Sequence, residues 1–502
     1  MKKILFLLVS TFIFLSCKSV NPLIVATDKG TIEGYQENEI LIYKGVPFAA
    51  PPVDDLRWKA PEVHQPWEGI LPTKNFSASP MQRRPEPFMM WTEEFIAPPE
   101  PLSEDCLYLN IWTKDSEEKK PVFVWVYGGG FNSGSSACAI YDGVSYAKED
   151  VVFVSINYRV NIFGYFAHPE LSAENSQGIS GNYGLLDQIE ALKWVQLNIE
   201  KFGGDPDNVT IAGQSAGSMS IHSLLASDLA DGLFHKAIGQ SGGLLGSSRA
   251  VTLEDSEKRG QAFTKKLDKG AIQELRKIPA SDLFEMAQKT GRLGYGPILD
   301  DVVLPLDLMG HFEAGNHNDV PFMGGWVTGD GRLFQAPKMS VKSYKENVAK
   351  QMGKKAEAFL EFFPGETIEQ IQTSMSKKNL VDFAVKSVDL LSNYQKSDTY
   401  VYEISHVPVD KPEFPNYGAF HTSDVPLTLR TLHSWKRPWR EIDKEMESLI
   451  SSYWLNFIKT GDPNGKGLPQ WNPYKNGGIQ ELKKNVNFSK DLYQKELEVL
   501  SF

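Results

Sequence analysis

Five stretches of the chain, residues 122–126, 151–156, 209–212, 322–327 and 400–404, are rich in β-branched and aromatic side chains and show no strict alternation of apolar with polar positions. A strand buried on both faces reads this way, whereas one with a wet face alternates. Segments 185–199 and 281–289, which lie between these stretches, read as helices. The helical pattern is fullest at 441–459, where Ile442, Met446, Leu449, Ile450, Tyr453, Trp454 and Phe457 share one face, and Gly461-Asp462-Pro463 ends it. That stripe predicts core packing rather than a binding site. Near-continuous apolar strands alternating with helices predict an α/β protein, with a mainly parallel central sheet and helices on both faces.

Two regions break the pattern. Residues 4–15 form a mostly apolar run behind Lys2 and Lys3. It is shorter than the roughly 20 residues a bilayer requires and has the charged-then-apolar form of an export signal. The proline-rich stretch 80–101 predicts a long loop rather than a hinge. No internal repeat or low-complexity linker divides the remainder, so residues 1–17 are expected to be a signal peptide and 18–502 a single domain.

Composition narrows the possible partners. The 502 residues are 41% hydrophobic and 23% charged, close to the globular average. A net charge of −11 with no basic patch repels phosphate backbones and argues against nucleic acid as a partner. Beyond the leader, no stretch is long and apolar enough for a membrane helix. Cys106 and Cys138 could form one disulfide in an oxidising compartment but are read as two buried thiols, and no Cys or His cluster has metal-ligand spacing, so no metal is expected.

The chemistry begins with a serine pattern. Gly-x-Ser-x-Gly lets a serine sit on a tight strand-to-helix turn, but composition alone yields about a quarter of such a match. The chain has two, around Ser215 and Ser241. Ser215 follows a plausible strand and precedes a stretch, 218–226, that can form a helix whose N-terminus lies at the hydroxyl. Ser241 is followed by Gly242-Gly243 and no clear helix. Ser215 is therefore the predicted nucleophile and Ser241 a structural turn. A serine nucleophile needs a base, and spacing does not choose among nine histidines. The chain order serine, acid, histidine leaves His311, His317, His406, His421 and His433.

A run of motifs carries a resemblance. Ser103-Glu104-Asp105-Cys106-Leu107-Tyr108-Leu109-Asn110, Asn157-Tyr158-Arg159, the stretch from Gly181 to Gln188, Phe202-Gly203-Gly204-Asp205-Pro206 and Gly213-Gln214-Ser215-Ala216-Gly217 occur in that order. Together they resemble the type-B carboxylesterase family, which includes cholinesterases and bacterial para-nitrobenzyl esterases, from about Val25 to Tyr474. The resemblance implies an α/β-hydrolase fold and a serine esterase that uses no cofactor. It implies His421 as base, in Gly418-Ala419-Phe420-His421-Thr422-Ser423-Asp424, with Thr422 where the family has Gly. It implies Asp330 as acid, where the family generally has Glu, ahead of the weaker rivals Asp300 and Asp301. Asp is one methylene shorter, so its loop must approach more closely. The N–H groups of Gly129, Gly130 and Ala216 would form the oxyanion hole, and Tyr127 takes a position that is His in most bacterial relatives. Because backbone donors do that work, little loss is expected from Tyr127. Asp424 is read as a helix or turn cap.

The expected substrates are small-molecule or saccharide-linked carboxylic esters, with acetyl or feruloyl esters of plant polysaccharides as the specific expectation. Phe88-Met89-Met90-Trp91 is a candidate wall of the site. Choline esters are set aside, because no cysteine between Cys17 and Cys106 closes the loop that carries the cation-binding tryptophan in cholinesterases. A triad-less binding or adhesion module, or a lipase or amidase on the same chemistry, are the alternatives. Leu15-Ser16-Cys17 resembles a bacterial lipoprotein cleavage box, although Phe14 departs from the usual Leu. This implies lipidation at Cys17, periplasmic or outer-membrane location, and membrane contact only through that anchor.

Overall fold

The structure, a computed structural model, describes residues 21–116, 118–245, 250–267, 271–291, 293–334, 339–411, 415–476 and 478–500. The predicted export segment and Cys17 lie outside the described residues.

Among the described residues, eleven strands form one mixed sheet. In chain order they are β1 (Tyr35–Glu37), β2 (Ile40–Pro47), β3 (Tyr108–Lys114), β4 (Lys120–Val126), β5 (Val152–Ile156), β6 (Gly204–Gln214), β7 (Lys236–Gln240), β8 (Phe322–Val327), β9 (Thr399–Ile404), β10 (Ile479–Leu482) and β11 (Asn487–Ser489). Across the sheet the order is β11-β10-β9-β8-β7-β6-β4-β5-β3-β2-β1. The seven strands from β5 to β10 are mutually parallel. Antiparallel pairs extend both edges. All five strands expected from apolar runs fall in the parallel centre, where β5, β8 and β9 are buried along their whole length. The sheet is thus mixed rather than uniformly parallel. In β3, Asn110 interrupts the apolar pattern, and the fold buries it by bonding its amide to the hydroxyls of Ser136 and Ser155 at 3.0 and 3.1 Å.

Helices cover the sheet. Those used below are α1 (Tyr183–Asn198), α2 (Ala216–Ala226) and α3 (Glu441–Thr460). On α3 the expected stripe is core, with Met446, Ile450, Tyr453, Trp454 and Phe457 buried. The proline-rich stretch is a loop closed by a short parallel pairing of Ser79–Pro80 with Leu102–Ser103. Met90 and Phe95 dock it on the core.

Two motifs of the resemblance prove to be anchors of the fold. Arg159 grips Asp187 on α1 with Nε and a terminal nitrogen at 2.8 and 2.6 Å. Arg57 grips Glu104 in the same way at 2.7 and 2.6 Å. Both pairs are buried, so removing one partner would strand a charge in the interior. Cys106 and Cys138 are buried and unbonded, and burial pushes the Cys138 thiol up to about 12. Such a thiol stays protonated and behaves as a small apolar side chain. Among the described residues no helix is long and apolar enough to cross a membrane, and no three His, Cys, Asp or Glu side chains are grouped to hold a metal.

Candidate active site

Strand β6 ends at Gln214 and α2 begins at Ala216, leaving Ser215 alone to make the turn with φ 59° and ψ −121°. A non-glycine residue held there stores about 1–3 kcal/mol of strain, which the packing around it must offset. The flanking glycines are a steric requirement. A Cβ on Gly217 would lie 2.2 Å from the Val126 carbonyl oxygen, and one on Gly213 would lie 2.5 Å from the Gly217 carbonyl carbon. The Ser215 N–H donates to the Gln240 carbonyl at 2.9 Å, tying the turn to β7.

Ser241 shares the left-handed backbone, with φ 52°, although the sequence pointed only to an ordinary turn. Accessibility separates the two serines. Ser215 is partly exposed, whereas Ser241 is 0% exposed and the described residues directly after it, 242–245, form no helix.

The structure brings together the two residues predicted as base and acid. His421 Nδ1 lies 2.6 Å from Asp330 Oδ1, and both side chains are buried. The second Asp330 oxygen accepts the Val327 N–H at 3.1 Å. The shorter carboxylate reaches because the two loops touch. The Gly329 N–H donates to the Ala419 carbonyl at 2.9 Å, and a Cβ on Gly329 would lie 2.2 Å from that oxygen. On its far side, His421 Nε2 sits 3.2 Å from the Gln214 side-chain amide, beside the serine turn. Gln214 entered the motif only as an unspecified position. Its identity there is a feature that the pattern alone did not disclose.

The other candidates have different duties. Asp300 accepts the N–H groups of Val302, Val303 and Leu304 and the Asn182 amide, which makes it a loop organiser. His406 pairs with Asp443 at 2.8 Å, but Arg440 also holds that carboxylate. His317 bonds Gln395.

Gly129 and Gly130, at φ 117° and 62°, both lie exposed after β4. Only glycine tolerates the former, since a Cβ would sit 2.1 Å from the Ser133 carbonyl oxygen. Among the described residues, no carbonyl acceptor meets the N–H groups of Gly129, Gly130 or Ala216. Tyr127 pins the start of this loop. Its hydroxyl donates to the Tyr158 carbonyl, and the Tyr158 hydroxyl returns the bond to the Tyr127 carbonyl, each at 2.8 Å. The rings stack with centroids 4.3 Å apart.

Asp424 does not act as the expected side-chain cap. No cap bond forms at the short helix it precedes, and its carboxylate turns inward to accept from Gln240 Nε2 at 2.8 Å. Burial first, and the nearby Asp330 charge second, push its carboxyl up to about 6. An acid whose pKa is raised by folding stabilises the fold fully below its unfolded pKa, and that contribution is lost as pH rises through the folded value. Asp424→Asn is therefore expected to stabilise the protein on the order of 2 kcal/mol at pH 8 and to have no such effect near pH 4. Denaturant unfolding at the two pH values checks this, and an equal effect at both would contradict it.

The sheet order, the single-residue turn at Ser215 and the His–carboxylate pair facing it define an α/β-hydrolase. The Carboxylesterase family model matches residues 21–500, and the chain belongs to that family. It is 34% identical over 475 residues to the para-nitrobenzyl esterase of Bacillus subtilis (strain 168), an alignment spanning 90% of this chain and 92% of the relative. It is 33% identical over 498 residues to the fumonisin B1 esterase of Sphingopyxis macrogoltabida, spanning 94% and 88%. A solved Geobacillus stearothermophilus carboxylesterase superposes with a TM-score of 0.83 at 30% identity, spanning 95% of this chain and 100% of that one. The protein is a carboxylic ester hydrolase.

Proposed function

We propose that Ser215, His421 and Asp330 form the catalytic triad of this hydrolase, and that the N–H groups of Gly129, Gly130 and Ala216 form its oxyanion hole. The observation that carries this reading is the 2.6 Å His421–Asp330 pair whose other imidazole nitrogen, Nε2, lies 3.2 Å from the Gln214 amide, one residue before Ser215. Asp330 fixes the imidazole tautomer, leaving Nε2 to take the Ser215 proton as the hydroxyl attacks the ester carbonyl. The three N–H groups receive the developing oxyanion, and losing one such donor typically costs about 10²–10³ in turnover. His421 returns the proton to the leaving alcohol. Water then attacks the acyl-enzyme by the same route and releases the acid. A binding module with no catalysis has no use for this arrangement. Because Gly129, Ser215, Asp330 and His421 converge here, residues 18–502 are read as one catalytic domain.

The surroundings of the base support esters with an aromatic part. Trp91 and Phe383 rings stand edge-on to His421 at 6.5 and 5.6 Å, and Phe88 lies 4.8 Å from Trp91. Of the two plant-polysaccharide esters expected from the sequence, this lining supports the feruloyl over the acetyl. A panel of matched esters, identical in alcohol and differing only in an aromatic or a saturated acyl ring, tests the point. The aromatic member is expected to show roughly three- to tenfold higher kcat/KM, the worth of one aromatic contact. Equal values across the pairs would remove the aromatic preference, and cleavage of amides but not esters would favour the amidase reading. We further propose export and lipidation at Cys17 on the strength of residues 2–17. If a Cys17→Ala chain still partitions with membranes after export, the anchor is wrong.

A further inference from the structure

Directly after the base stands Thr422, with φ 82°. A β-branched residue in the left-handed region is an outlier that persists only where its surroundings hold it. One side-chain contact does so. The Trp91 indole N–H donates to the Thr422 hydroxyl at 2.9 Å, across 331 residues of sequence. Trp91 closes a tight hairpin in which Phe88 and Trp91 exchange both backbone hydrogen bonds at 3.0 Å. Met89 at its tip also has a positive φ of 50°. Met90 sinks into the core while Phe88 and Met89 face solvent, 55% and 46% exposed. The hairpin is therefore anchored at one point below and, through Trp91, at one point on the histidine loop. The same indole stands edge-on to the His421 ring, with centroids 6.5 Å apart.

We infer that Trp91 and Thr422 form a latch that fixes the aromatic hairpin against the histidine loop, making both of them positioning residues for His421. The inference rests on the triad reading above. The threonine hydroxyl gives the indole its only side-chain acceptor among the described residues, and the indole in turn holds Thr422 in its strained turn and walls the imidazole. Without the latch, the imidazole keeps its aspartate but loses the fixed face that sets its approach to Ser215.

The test is turnover per active site, with sites counted from the acylation burst on a chromogenic acetyl ester. Thr422→Val keeps the branched shape and deletes the acceptor. Trp91→Phe keeps an aromatic ring and deletes the donor. Each is expected to lower kcat per titrated site about tenfold, the scale of one lost hydrogen bond, with KM little changed. The double variant should be no slower than either single, because both remove the same interaction. Thr422→Ser, which retains the hydroxyl, should stay near wild type. Thr422→Gly serves if the valine variant fails to fold, since glycine accepts the left-handed backbone freely and still loses the latch. Unchanged kcat per site in the valine and glycine variants would overturn the latch, as would additive losses in the double. A loss confined to melting temperature and to the number of titratable sites would show a structural role only and would also overturn it. In each of these cases an inactive Ser215→Ala enzyme leaves the triad standing, whereas an active one would bring down both readings.

Discussion

Ser215→Ala is expected to lower kcat for a chromogenic ester by about six orders of magnitude, the cost of deleting the nucleophile from a serine triad. Little else should change. The side chain loses one oxygen, the turn keeps its left-handed backbone, and the Ser215 N–H bond to Gln240 is a main-chain contact that alanine retains. Some rate above that in water should survive, because the N–H groups of Gly129, Gly130 and Ala216, the proposed oxyanion hole, are untouched by the substitution. Ser241→Ala is the matched control. That hydroxyl lies in a second Gly-x-Ser-x-Gly with a similar backbone but is sealed from solvent, so the acylation burst should remain. Stopped-flow measurement of the burst distinguishes the two variants. A burst that survives in Ser215→Ala and vanishes in Ser241→Ala would reverse the assignment.

Asp330→Asn is expected to cost about 10⁴ in kcat while leaving the fold in place. The amide fits the same space but no longer accepts only, so it can hold the imidazole in the tautomer that has no free nitrogen for the serine proton. The developing imidazolium also loses its counter-charge. Asp330→Glu should not behave as a conservative change here. The Gly329–Ala419 contact holds the two loops together around the 2.6 Å His421–Asp330 pair, and an extra methylene in that buried space is expected to displace His421. Steady-state kinetics with burst titration checks both variants. Full activity in Asp330→Asn would remove Asp330 from the triad.

The parallel centre of the sheet was legible because burial on both faces leaves an apolar signature local to each strand. The antiparallel edges were not. Tyr108–Lys114 carries Asn110 in mid-strand, and the serines that satisfy it lie 26 and 45 residues away. The serine turn was readable from contiguous residues, since the glycines at 213 and 217 are required by contacts within that turn and with β4. The base was different. Nothing local marks one histidine among nine, and the resemblance chose His421 before the structure placed it beside Asp330. Asp424 could be read only as a cap, because the group that draws its carboxylate inward, the Gln240 side chain at the end of β7, lies 184 residues away in sequence. The same applies to Trp91. An aromatic cluster at 88–91 stood out in the sequence, but its bond to Thr422 exists only through tertiary folding.

The most direct measurement is covalent trapping of the wild-type enzyme with a fluorophosphonate, followed by peptide mass spectrometry. One adduct per chain, on the peptide carrying Ser215, with activity lost in proportion to labelling, is the predicted result. An adduct on Ser241, or full inactivation with Ser215 unmodified, would contradict it.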